Sequence, residues 1–189
     1  MFSKSKYSLR KKFLQFLGAS FEISDEQGNL VLFADQKAFK LREDIRLYTN
    51  KEKTEEILTI KARNIIDFSA TYDVFDSTTG NKIGSLKRNG FKSMAQDEWF
   101  VLNNEEQETA KIIEDSLLLA LVRRFVTNLI PQNYDVLMDG KRVCDLKQNF
   151  NPFIYKLEID FSENTEGKFD TRLGICAAVL LAAIEGKQS

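Results

Sequence analysis

Along most of the chain, apolar and polar residues alternate with period two in short segments that come in pairs, each pair joined by a polar turn. Phe21-Glu22-Ile23-Ser24 turns at Asp25-Glu26-Gln27-Gly28-Asn29 and returns as Leu30-Val31-Leu32-Phe33, with Phe39 and Leu41 beyond. Ile45-Arg46-Leu47-Tyr48 returns as Ile57 to Arg63, and Thr71-Tyr72-Asp73-Val74-Phe75 returns as Ile83 to Arg88. Tyr134 to Met138 turns tightly at Asp139-Gly140, a pair suited to a type I′ turn, and returns as Arg142 to Lys147. Period-two alternation around such turns predicts antiparallel hairpins. Phe153 to Phe161 (FIYKLEIDF) adds a last strand with Phe153, Tyr155, Leu157, Ile159 and Phe161 on one face.

Two stretches depart from this rhythm. Glu98-Trp99-Phe100-Val101-Leu102 starts a fourth unit, but its return is predicted as a helix over 109–130, because Leu118, Val122, Phe125 and Leu129 form one stripe and Pro131 ends it. Leu173 to Ile184 (LGICAAVLLAAI) carries no charge and no side-chain amide. A helix apolar all round has to be buried on all sides. The expected central helix covers 171–185, capped by Asp170 or Thr171. The apolar stretch Leu173 to Ile184 spans roughly 18 Å, short of the roughly 20 residues that cross a bilayer. Repeated hairpins lose their exposed edges by closing into a barrel. Five hairpins with a first and a last strand make about twelve strands, a ring too wide for wall side chains alone to fill. The apolar helix is the expected filling.

The words Tyr7-Ser8-Leu9-Arg10-Lys11-Lys12, Phe21 to Asn29, Ile60-Lys61-Ala62-Arg63, Thr71 to Asp76 and Ile83 to Arg88 resemble the LURP-one-related family, relatives of the Tubby C-terminal domain and the phospholipid scramblases. The resemblance implies a mainly β fold, a twelve-stranded closed antiparallel barrel around a hydrophobic C-terminal helix, spanning 1–189 as a single domain. Two departures stand out. The turn from Thr49 to Glu56 lacks Asp-Gly character, and the predicted 109–130 helix is an elaboration.

Composition narrows the chemistry. The net charge of −1 gives no general attraction to nucleic acid, and no nucleic-acid partner is expected. The basic and aromatic stretch Tyr7 to Phe16 is read as the first barrel strand, with attachment to an anionic membrane as the alternative. The acidic run from Asp97 to Asp115 is read as a solvated helix start. Cys144 and Cys176, with no close partner spacing, are expected to be buried reduced thiols. The sequence contains no His, which removes the commonest acid/base residue near neutral pH. No phosphate-cradling glycine loop and no nucleophile elbow is present. No enzyme activity, cofactor or metal is expected. No secretory leader is evident, and a cytoplasmic location, peripheral to the inner membrane surface, is the expectation.

The positive signal is basic. Lys61 and Arg63 share one side of their strand, Lys87 and Arg88 face opposite sides of theirs, and Lys37, Lys40 and Arg42 hold a comparable place in the first unit. These seven are the candidate residues for an anionic phospholipid or phosphoinositide headgroup, helped by Arg10, Lys11 and Lys12. Tubby-type relatives bind phosphoinositides through basic side chains on the barrel wall. The rival reading is a protein-interaction scaffold using the 109–130 helix. The bland one is that strand-end cations keep the barrel soluble.

Overall fold

The computed structural model describes residues 1–14, 18–36, 44–64, 70–89, 98–114, 131–149, 151 and 154–184. Their strands are β1 (Lys6–Leu14), β2 (Gly18–Asp25), β3 (Leu30–Gln36), β4 (Ile45–Tyr48), β5 (Glu56–Asn64), β6 (Thr71–Asp76), β7 (Lys82–Arg88), β8 (Glu98–Leu102), β9 (Glu108–Glu114), β10 (Asn133–Met138), β11 (Lys141–Asn149) and β12 (Tyr155–Asp160). The helix α1 covers Thr171–Ile184. Each strand pairs antiparallel with its neighbours in sequence, and β1 pairs with β12 to close the ring. The expected twelve-stranded barrel with a helix at its centre is what the chain forms. The first strand is β1, so the Tyr7 stretch is barrel wall over its described residues.

One element differs from the expectation. Residues 108–114 are not helix but β9, the return strand of the fourth hairpin, paired with β8 through Trp99↔Ile112 and Val101↔Ala110. The segment ETAKIIE alternates, with Ala110, Ile112 and Glu114 buried. A helical stripe further along masked that alternation. The rest of the predicted helix, 115–130, lies outside the described residues. The acidic run is likewise largely hairpin: Glu105 and Glu106 sit in the turn, while Glu98 and Glu114 are buried in the wall.

The turns follow their chemistry. Asp139 (φ 51°) and Gly140 (φ 74°) both take the left-handed conformation that a type I′ turn needs. The glycine-free turn between β4 and β5 manages with Lys53 at φ 58°, held by the Thr54 amide donating to Asn50 Oδ1 (3.2 Å).

The interior is built from both sides. The wall contributes Leu9, Phe21, Ile23, Leu32, Leu47, Leu58, Ile60, Leu86, Ile112 and Leu146, all fully buried. Every residue of α1 from Leu173 to Ala183 is buried as well. A large-residue wall leaves space only for a slim helix, which accounts for Gly174, Ala177, Ala178, Ala182 and Ala183. Asp170 caps its start: its carbonyl accepts from the Leu173 amide (3.0 Å) and its Oδ1 from the Arg172 amide (2.9 Å). At the far end the Lys11 ammonium, 3% exposed, donates to the Ala182 carbonyl at 2.8 Å. A buried cation on the last carbonyls answers the negative end of the helix dipole. Cys144 and Cys176 are free and buried, and burial pushes both thiols up.

Candidate functional site

The outer wall over β5 to β9 gathers three of the described basic candidates, Lys61, Arg63 and Lys87. On β5, Lys61 pairs across to Asp73 of β6, which pairs to Ser85 of β7. One row on, Thr71, Lys87, Phe100 and Lys111 face each other across β6, β7, β8 and β9. Alternation places these residues outward, because Ile60, Val74, Leu86, Val101 and Ile112 fill the interior. Lys61 and Lys87 are exposed, and among the described residues neither has a carboxylate within ion-pair distance. Each side of the patch carries an aromatic ring under a lysine: the Lys61 ammonium lies 5.1 Å from the Phe75 centroid, and that of Lys111 lies 5.4 Å from Phe100. With strands about 4.8 Å apart, Lys87 and Lys111 have their Cα atoms about 10 Å apart with Phe100 between them.

Arg63 behaves differently. Its Nε donates to Asp73 Oδ2 at 2.8 Å and its Nη1 to Glu106 Oε2 at 3.0 Å, a carboxylate 43 residues away on the β8–β9 turn. Lys82 bridges the same two acids, reaching Asp73 at 2.9 Å and contacting Glu106. Ser85 Oγ donates to Asp73 Oδ1 at 2.9 Å. Two cations and two carboxylates thus neutralise one another. Burial works to raise the Asp73 carboxyl, but hydrogen bonds from Arg63, Lys82 and Ser85 outweigh it and hold it down at about 2. Hydrogen bonds from Arg63 and Lys82 hold Glu106 at about 2 as well.

This cluster carries a pH prediction. Both carboxyls are depressed on folding from ordinary values of 3.8 and 4.5, so their stabilisation is present above that range and is lost as pH falls through about 2. Arg63→Ala should cost about 1–2 kcal/mol at pH 7, mostly through Asp73, since solvent screens Glu106. The gap in melting temperature between variant and wild type should narrow steadily from pH 4.5 to 2. A gap independent of pH would remove the carboxylates from the account.

The remaining candidates separate. Arg88 points inward, its guanidinium carbon 5.9 Å from the Trp99 ring centroid. Lys37, Lys40 and Arg42 lie outside the described residues. Of the helper cations, Arg10 is exposed, Lys11 is inside the barrel, and Lys12 pairs with Glu22 at 2.8 Å. Lys111, Phe75 and Phe100 went unnoticed in the sequence. Lys111 was hidden because its segment was assigned to a helix, and reading ETAKIIE as alternating would have set it outward. Among the described residues, no group of three or more His, Cys, Asp or Glu could hold a metal ion. No helix among them is long and apolar enough to cross a membrane.

A family model described as LURP-one-related matches residues 5–181. Neither the curated proteins nor the solved structures contain a match.

Proposed function

The chain belongs to the LURP-one-related family, and on that premise we propose that it is a non-catalytic binding scaffold whose β5–β9 wall docks on anionic phospholipid at a membrane surface. The observation that carries this reading is the pair Lys61 and Lys87, two exposed cations left without a carboxylate among the described residues, beside half-buried Phe75 and Phe100. Elsewhere on the wall cations such as Lys6, Lys12 and Arg46 are paired with Asp160, Glu22 and Glu56. An unpaired lysine near an anionic bilayer contributes roughly 1 kcal/mol, and aromatic rings suit the headgroup boundary. Lys111 extends the patch, while Arg63 serves it as a brace. Phosphoinositide headgroups are the sharper version of the same proposal, with Lys37, Lys40 and Arg42 as further candidates.

Co-sedimentation with vesicles tests it. Wild-type protein should bind phosphatidylserine or phosphoinositide vesicles, leave neutral ones in solution, and bind more weakly in higher salt. Lys61→Ala with Lys87→Ala should weaken binding roughly 25-fold, about fivefold per charge. Arg63→Ala should weaken binding about as much as loss of one lysine, because it leaves Asp73 and Glu106 with Lys82 alone and so places an uncompensated negative charge beside Lys61. Failure of folded wild type to bind at low salt, or full binding by the double variant, would remove the lipid reading.

A further inference from the structure

Given that the β5–β9 wall docks on one bilayer, we propose that the opposite wall, around Arg10 and Lys156, docks on a second anionic phospholipid surface, so that one molecule bridges two membranes. In the closed ring β1 stands six strands from β7 in either direction, and β12 stands five strands from both β5 and β7. Arg10 and Lys156 therefore face away from Lys61 and Lys87. With tilted strands about 4.8 Å apart, such a ring is roughly 25 Å across, about three times the Debye length of about 8 Å at physiological salt. A flat bilayer on one wall leaves the cations of the other available to a second surface.

The opposite wall carries more cations than its carboxylates hold. Arg10 and Lys156 are direct partners in the β1–β12 pairing, and both point outward, since Leu9, Lys11, Tyr155 and Leu157 on either side of them are buried. Like charges opposite each other on neighbouring strands, with Cβ atoms about 5 Å apart, destabilise a sheet. The nearby carboxylates do not relieve this. Glu22 faces Arg10 from β2, but it already accepts from Lys12 at 2.8 Å and lies 2.7 Å from Lys51. Glu158 reaches the Lys156 ammonium only at 3.8 Å and accepts from Asn149 Nδ2 at 3.0 Å. Arg10 is exposed, and among the described residues no carboxylate lies within ion-pair distance of it. Arg10, Lys12, Lys51 and Lys156 thus stand against Glu22 and Glu158, a local excess of positive charge on a chain whose net charge is −1. An anionic headgroup seated between Arg10 and Lys156 turns their repulsion into two charge-assisted contacts. This wall is the weaker of the two, because Lys61 and Lys87 are both unpaired and have Phe75 and Phe100 beside them.

Phosphatidylserine vesicles read the two contacts separately. Co-sedimentation reports binding through either wall, whereas light scattering reports clustering of vesicles, which needs both. Wild-type protein should sediment with the vesicles and cluster them at low salt, and the clusters should disperse as salt rises. A chain of net charge −1 cannot cluster anionic vesicles by neutralising them. Arg10→Ala with Lys156→Ala removes a repulsion and no core contact. That variant should sediment much as wild type does, while its second contact weakens roughly 25-fold, about fivefold per charge, and clustering is lost. Lys61→Ala with Lys87→Ala should weaken sedimentation and clustering together. Failure of folded wild type to sediment would remove the β5–β9 reading and the bridge with it. Sedimentation without clustering, or clustering undiminished in the Arg10→Ala, Lys156→Ala protein, would overturn the second contact alone.

Discussion

Replacing Gly84 by alanine should destabilise the barrel by about 3 kcal/mol, the upper end of what overpacking a core costs. Gly84 sits on β7 facing inward, where any Cβ would lie 2.4 Å from the Leu102 carbonyl oxygen and 3.0 Å from Leu173 Cδ1. The first obstacle is backbone of the neighbouring strand, which cannot swing aside as a side chain does. The second is the helix itself, so the absence of a side chain at 84 lets α1 approach the wall at Leu173. For a chain of this size the loss corresponds to a fall of about 6–12 °C in melting temperature. Gly80 provides the control: its φ is +73°, yet nothing lies within 4 Å of where a Cβ would stand, so alanine there meets backbone strain of only about 1 kcal/mol. Adding Leu173→Ala to the Gly84 variant should give no net recovery, because truncating a buried leucine itself costs about 2–5 kcal/mol and the clash with the Leu102 carbonyl stays. Urea unfolding of the four proteins measures this, and a Gly84→Ala protein within about 0.5 kcal/mol of wild type would show that β7 and β8 can separate at little cost.

The barrel was legible because most of its hairpins are local signals. Alternation sets which residues face in, Gly-Asn and Asp-Gly mark the turns, and an uncharged segment such as Leu173 to Ile184 admits few environments other than an interior. β9 escaped because ETAKIIE is only seven residues long and continues into a sequence with helical spacing. The candidate site was legible only in part, for a different reason. Exposure of Lys61 follows from its own strand, but the loss of Arg63 to Glu106 depends on a turn 43 residues away. No local pattern encodes that meeting. Arg88 and Lys11, by contrast, could have been placed. Leu86 and Leu9 are obvious core residues, and the side chain two positions on from each must face the same way. Their charge drew attention to the surface although their register pointed inward.

That register argument applies most severely to α1, where Ala178→Asp should leave the chain unable to hold its fold. Ala178 is 0% exposed at the middle of a helix buried continuously from Leu173 to Ala183. In an amphipathic helix a carboxylate can turn toward water, but here every direction meets wall or core. An unpaired buried charge costs at least about 3–5 kcal/mol, a large share of the roughly 5–15 kcal/mol that stabilises a domain. Protonation would relieve part of this, so what soluble protein forms should be more stable at pH 4 than at pH 7, the reverse of the Asp73 and Glu106 pair. Ala178→Ser should cost only about 1 kcal/mol, since its hydroxyl can bond back to the carbonyl one turn earlier. The decisive comparison sets serine at 177, 178, 182 and 183 in turn. A helix with one wet face would tolerate at least one of these without loss, whereas a helix enclosed on all sides should lose stability at each. Denaturant midpoints that fall at all four positions would establish that α1 is the core around which the twelve strands close, and a position without loss would mark a side of the helix that the wall leaves open.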